Sequence, residues 1–196
     1  MILPECYDCA YKSADHPCRT ADGRFNFVKA GQAIVAIGRC YCPETGGVIN
    51  DALRAANDWV SSCEAEILDK HADMVLELMI AASNACKTPH DASFVAAGLL
   101  ENAVGAHGSE LIGRIEMLAR QSAKFRYILS GIWGESHTDP DVWQRLGRTV
   151  GEGGRMGADG RAPWDGRPVT VLDEAEAMLL MQEDITPVAR RLGLVA

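Results

Sequence analysis

Five of the seven cysteines, Cys6, Cys9, Cys18, Cys40 and Cys42, fall within the first 42 residues. That clustering constrains the chain more than any other feature. A segment of about 48 residues with few large apolar groups rarely folds without a staple. The total is odd, and the N-terminal MILPECYDC has neither a basic region nor an apolar core of the secretory type, so a disulfide framework is not expected and a cytoplasmic location is. Clustered thiols in a reducing compartment point to metal.

Cys6 and Cys9 form a C-x2-C pair, which lets one tight turn aim two thiolates at a tetrahedral ion. Cys40 and Cys42 are two apart, so they share a face if the segment is extended. Between them, Phe25–Val28 and Ala33–Ile37 are two short apolar runs joined by a Gly-containing link, which reads as a β-hairpin. The hairpin would carry Cys40 and Cys42 back towards Cys18, Cys6 and Cys9. Four of these five cysteines are expected to bind one structural Zn²⁺, with His16 as a sixth candidate ligand. An iron–sulfur cluster is the alternative, because it also takes four thiolates. The layout is similar to a zinc ribbon or knuckle, with C-x-C where the second C-x2-C would stand.

The rest of the chain reads as helices. Residues 49–150 form a helical domain, and residues 151–196 a Gly-rich loop followed by C-terminal docking helices. The predicted fold is mainly α: a bundle-like body carrying an N-terminal metal-stapled β-hairpin. Asn50 or Asp51 caps a helix through about Cys63, and a second runs from about Glu64 to Cys86. Thr88, Pro89 and Asp91 have the spacing of a capping box with proline in the first turn. That helix is expected to stop at His107 before Gly108, with Ser109 capping the next. Others cover Ala123–Trp133, a stretch from Pro140, Asp173–Met181 and a short helix from Thr186. A short strand at Val169–Val171 is expected before the Asp173 cap. Cys63 and Cys86 are expected in the core.

The net charge is −8. Residues 51–113 carry 3 basic and 10 acidic groups, net −7. Such a surface disfavours a phosphate backbone, so nucleic acid is not the expected partner. Glu66, Asp69, Asp73 and Glu77 lie at spacings of 3, 4 and 4. On one helix they form a stripe, either a solvated face or a contact for a basic partner. Arg148, Arg155, Arg161 and Arg167 flank or occupy the Gly-rich stretch and offer a place for an anionic one. The run Gly151–Gly157 lacks the lysine of a phosphate loop. Asp184–Leu194 reads as a docking helix, not a DNA reader.

No H-E-x-x-H, no G-x-S-x-G and no paired nucleophile and base appear. Phe94–Trp133 carries Leu99, Leu100, Glu101, His107, Gly108, Ile115, Glu116, Phe125, Arg126, Gly131 and Trp133 in a spacing that resembles a small bacterial helical family of unknown function. The resemblance implies a helical module and no activity. Most of these positions read as packing and caps, Trp133 as a core residue, and Glu116 with Arg126 as an ion pair. The expected role is non-catalytic binding of another protein by a zinc-stabilised helical fold, such as a bacterial or phage accessory factor that counters a host defence complex. A nucleic-acid-associated zinc protein and a small metal-dependent enzyme are the alternatives. No apolar run is long enough to span a bilayer.

Overall fold

The computed structural model describes residues 16–41, 46–151, 156 and 170–195. Among them the protein is mainly helical and contains no named strand; isolated bridges include Arg19–Phe25 and Tyr41–Val48. The helices are α1 Phe27–Gly38, α2 Asp51–Asn57, α3 Trp59–Lys70, α4 Ala72–Ala85, α5 Pro89–Val95, α6 Glu101–Gln121, α7 Ala123–Leu129, α8 Pro140–Val150, α9 Glu174–Leu180 and α10 Thr186–Arg191. A π-helical turn, Ala96–Leu100, joins α5 to α6.

The expected hairpin is α1. Asn26 caps it by accepting from the Lys29 N–H at 3.1 Å. Ala30 and Ile34 fall four apart, as do Gly31 and Val35, with Gly38 three further on; all five are buried. That is a helical stripe, and burying it outweighs the weak strand preference of the Ile34–Val35 pair. The glycine read as a turn is a contact. A Cβ on Gly31 would lie 2.5 Å from the carbonyl carbon and oxygen of Ala81 on α4. Gly38 similarly receives the ring of Phe94, at 2.6 Å from such a Cβ.

Local capping fixes several boundaries as read. Thr88 and Asp91 form a capping box with Pro89 in the first turn, Asp139 caps α8, and Asp173 with Glu176 makes a second capping box. Other boundaries differ. The helix from Asp51 divides at Asp58, and the next begins at Trp59 and divides at His71, whose φ of −131° and ψ of 60° end α3. Gly108 does not stop a helix. It lies buried inside α6, where a Cβ would meet Val142 Cγ1 of α8 at 2.8 Å. The helix from Ala123 ends at Leu129, short of Trp133. Val169 lies outside the described residues, and Thr170 and Val171 belong to no named strand.

One apolar cluster runs through the structure, from Phe25 and Ile34 through Leu76, Leu78, Leu100, Ile115 and Phe125 to Ala189 and Leu194. Cys63 and Cys86 are in it, as expected. Burial pushes the Cys86 thiol up to about 12.

The C-terminal helices attach through a buried cation. Lys124 has no exposed surface. Its Nζ donates to the carbonyls of Cys86 at 3.0 Å, Met181 at 3.1 Å, Glu183 at 3.3 Å and Asn84 at 3.5 Å. These acceptors cluster at the C-terminal ends of α4 and α9, where the helix dipole is negative. The Lys124 N–H donates to Glu183 Oε2, and the Asn84 side chain joins Ile185 N–H and Thr186 Oγ1.

Candidate functional site

Trp133 is the most unusual exposed side chain. The residue is 60% exposed, beside Ile132 at 1%, which corrects the expectation of a core residue. The backbone beneath it is fixed. The Trp133 N–H donates to Glu101 Oε2 at 3.0 Å. A Cβ on Gly134 would stand 2.9 Å from Glu101 Cγ, so glycine lets the carboxylate approach. Glu101 opens α6 directly after the π-helical turn, an insertion often found where a helix re-aims a functional group. Gly131 packs on the same turn: a Cβ there would meet Ala96 Cβ at 2.9 Å and Met156 Sδ at 2.8 Å. Ser130 Oγ accepts from the Met156 N–H at 3.0 Å. Trp133 therefore stands on a ledge whose backbone is held by Glu101, and Met156 packs on that ledge at Gly131 and Ser130.

Glu116 and Arg126 do not pair with each other. Glu116 takes both donors of Arg145 on α8, at 2.9 and 2.8 Å, while Arg126 donates to the Ala119 carbonyl at 3.2 Å. The Arg145 hydrogen bond holds the Glu116 carboxyl below its usual range against the opposing effect of burial, with added help from the charges of Arg145, Arg120 and Arg148. A carboxyl whose folded pKa is depressed contributes stability above its unfolded value of 4.5 and loses it as pH falls through the folded pKa. The midpoint of urea unfolding, followed from about pH 5 to about pH 3, should fall less steeply in Glu116→Gln than in the parent.

The acidic residues form no single stripe, because the turn at His71 separates Glu66 and Asp69 on α3 from Asp73 and Glu77 on α4. Glu66 pairs with Lys70 at 2.9 Å. Asp69 and Asp73 are exposed. Glu77 lines a groove of about 450 Å³ between α1, α4 and the C-terminal helices, with Phe27, Ile80, Asn84, Lys87 and Arg190. Burial raises its carboxyl pKa. Arg148 is exposed and donates to Gln144 Oε1 at 3.2 Å. Arg155, Arg161 and Arg167 lie outside the described residues.

So do Cys6, Cys9 and Cys42. Cys18 and Cys40 are buried. His16 Nδ1 is 3.0 Å from Cys18 Sγ, and its ring meets Trp59 edge-on at 5.4 Å between centroids. The Cys40 thiol donates to the Ala36 carbonyl at 3.1 Å. Burial pushes its pKa up. Among the described residues no group of three or more His, Cys, Asp or Glu is placed to hold a metal ion. No helix among them is long and apolar enough to cross a membrane.

His107 is not at a helix end. It lies within α6 and its Nε2 donates to the Leu68 carbonyl at 2.6 Å, linking α6 to α3. Lys124 and Arg145, which organise two helix junctions, were not singled out by sequence patterns. Lys124 is four residues before buried Ile128 on one helical face, the one local sign that it points inward.

No curated protein and no solved structure matches the chain. A family model does, over residues 49–152, described as a family of unknown function, DUF6869. The resemblance seen over residues 94–133 falls inside that span, together with Glu101, Trp133 and the π-helical turn. Since the match covers just over half of the chain, the protein belongs to the DUF6869 family of unknown function.

Proposed function

We propose that this protein is a non-catalytic binding protein, that its partner is another protein, and that Trp133 anchors the contact. The observation that carries this reading is a 60% exposed tryptophan on a backbone held by Glu101. Tryptophan is enriched among the few residues that dominate interface energetics, and a pre-fixed one loses little conformational freedom on binding. The net charge of −8 speaks against nucleic acid as the partner. An N-terminal metal staple, Zn²⁺ held by cysteines, belongs to the same reading. It is supported by the C-x2-C pair and by the contact between His16 and Cys18.

Trp133→Ala tests the contact. Its unfolding free energy should differ from the parent by less than about 0.5 kcal/mol, as for a surface substitution. Quantitative affinity capture from the source cells should lose a protein that the parent retains, by about tenfold or more. An identical set of captured proteins from an equally stable variant would remove Trp133 from the contact.

A further inference from the structure

We propose that the surface around Trp133 takes an arginine-bearing segment of the partner protein, with a guanidinium against the indole and its neighbouring carboxylates; this rests on the reading that Trp133 anchors a protein contact.

The charge of this surface follows from the course of one loop. The chain from Trp133 to Val142 runs beside α6 from Glu101 to Gly108. The Trp133 N–H donates to Glu101 Oε2 at 3.0 Å. A Cβ on Gly105 would stand 3.4 Å from the His137 carbonyl oxygen, and Gly108 faces Val142. The helix between Glu101 and Gly108 is about 10 Å long. Along that length Glu135, Asp139 and Asp141 are exposed and Glu101 is half-buried. The Glu135 N–H donates to the Trp133 carbonyl at 3.0 Å, which keeps Glu135 within one tight turn of the tryptophan.

No cation in these two segments offsets the carboxylates. Neither Lys nor Arg occurs between Lys87 and Arg114, or between Arg126 and Arg145. The flanking arginines are engaged elsewhere, Arg145 with Glu116 and Arg126 with the Ala119 carbonyl. Asp91, in the first segment, is neutralised by Arg39. Glu101, Glu135, Asp139 and Asp141 form no ion pair among the described residues. An acidic partner segment would be repelled here, and a purely apolar one would leave these charges without a complement. Of the two strong cations, arginine fits better. A guanidinium stacks flat on an indole and also donates in a fork to a carboxylate, whereas an ammonium is a more strongly hydrated point charge.

The probe is a fluorescein-labelled peptide of four Gly-Arg repeats, titrated with the full chain and followed by anisotropy. The parent should bind it at least tenfold more tightly at about 50 mM than at about 300 mM NaCl, and should not bind a Gly-Glu counterpart. Trp133→Ala should weaken binding by about fivefold. The double variant Glu135→Gln, Asp141→Asn should weaken it by a similar factor, and Glu135→Gln alone serves if the pair lowers stability. Asp69→Asn with Asp73→Asn removes the same charge from exposed positions on α3 and α4 and should change affinity by less than about twofold. Equal weakening by both pairs would show an effect of net charge alone and overturn the proposal. Affinity capture from the source cells separates its failure from that of the Trp133 contact. If the Glu135, Asp141 variant retains, at low and high salt alike, the protein that Trp133→Ala loses, the arginine-bearing partner is overturned and the anchor stands. If Trp133→Ala loses nothing, both are overturned.

Discussion

Lys124→Met should lower the free energy of unfolding by about 3–5 kcal/mol, the range for removing one member of a buried charged network. Methionine keeps the length of the side chain and much of its volume, so the cost is electrostatic. The ammonium has three hydrogens for four carbonyl oxygens, those of Asn84, Cys86, Met181 and Glu183. Without it, the carbonyls of Cys86, Met181 and Glu183 lose this donor inside the protein, while that of Asn84 keeps Lys87 Nζ at 3.4 Å. Burial already pulls the Lys124 pKa below the ordinary lysine value. Lys124→Arg should not rescue, because four carbonyls converge on one nitrogen and a planar guanidinium spreads its donors over three. Urea unfolding followed by circular dichroism checks both variants. A loss below about 1 kcal/mol in Lys124→Met would show that the cage is not what holds the C-terminal helices.

Gly31→Ala is the second large effect, with an expected loss of about 3 kcal/mol, at the upper end of overpacking costs. The added methyl group would sit 2.5 Å from the backbone of Ala81 and 2.7 Å from the Ala82 nitrogen. Backbone cannot turn aside as a flexible side chain can, so α1 must lift away from α4. Gly113→Ala is the matched control. Gly113 is on the exposed side of α6 with nothing within 4 Å of a Cβ, so alanine should stabilise by about 0.5–1 kcal/mol. Opposite signs for one chemical change would confirm that Gly31 is a helix contact. In a hairpin turn, the same substitution would act through the turn alone.

The features legible in the sequence are those governed by neighbours in the chain. Thr88 with Asp91, Pro140 after its cap, and Asp173 mark helix starts because a cap closes within three or four residues. Glycine is ambiguous by the same logic. Gly108 satisfies the local rule for a helix stop, yet Val142, 34 positions away, makes it a packing site inside α6. Ala33–Ile37 is β-branched enough to read as a strand, and only the surface of α4 shows which of its periods is used. Partners distant in sequence were beyond reach. Glu116 reads as pairing with nearby Arg126, but Arg145 supplies the better geometry from α8. Trp133 has the composition of a core residue, and its exposure follows from where α7 ends. The family resemblance includes Glu101, Gly131 and Trp133, yet reads them as packing and caps; their joint geometry appears only in the fold.

The position of Lys124 also bears on how the protein is made. On a ribosome, the chain presents Lys124 together with Asn84 and Cys86 before it presents Met181 and Glu183. The matched module of residues 49–152 can thus emerge with its internal cation half solvated and its docking surface for Ala177, Met181, Ile185 and Ala189 uncovered. Until those later residues are translated, this apolar surface is open to chaperones or to other nascent chains. In the folded chain, the Met181 and Glu183 carbonyls complete the cage around Lys124 only after residues 84–124 have been made.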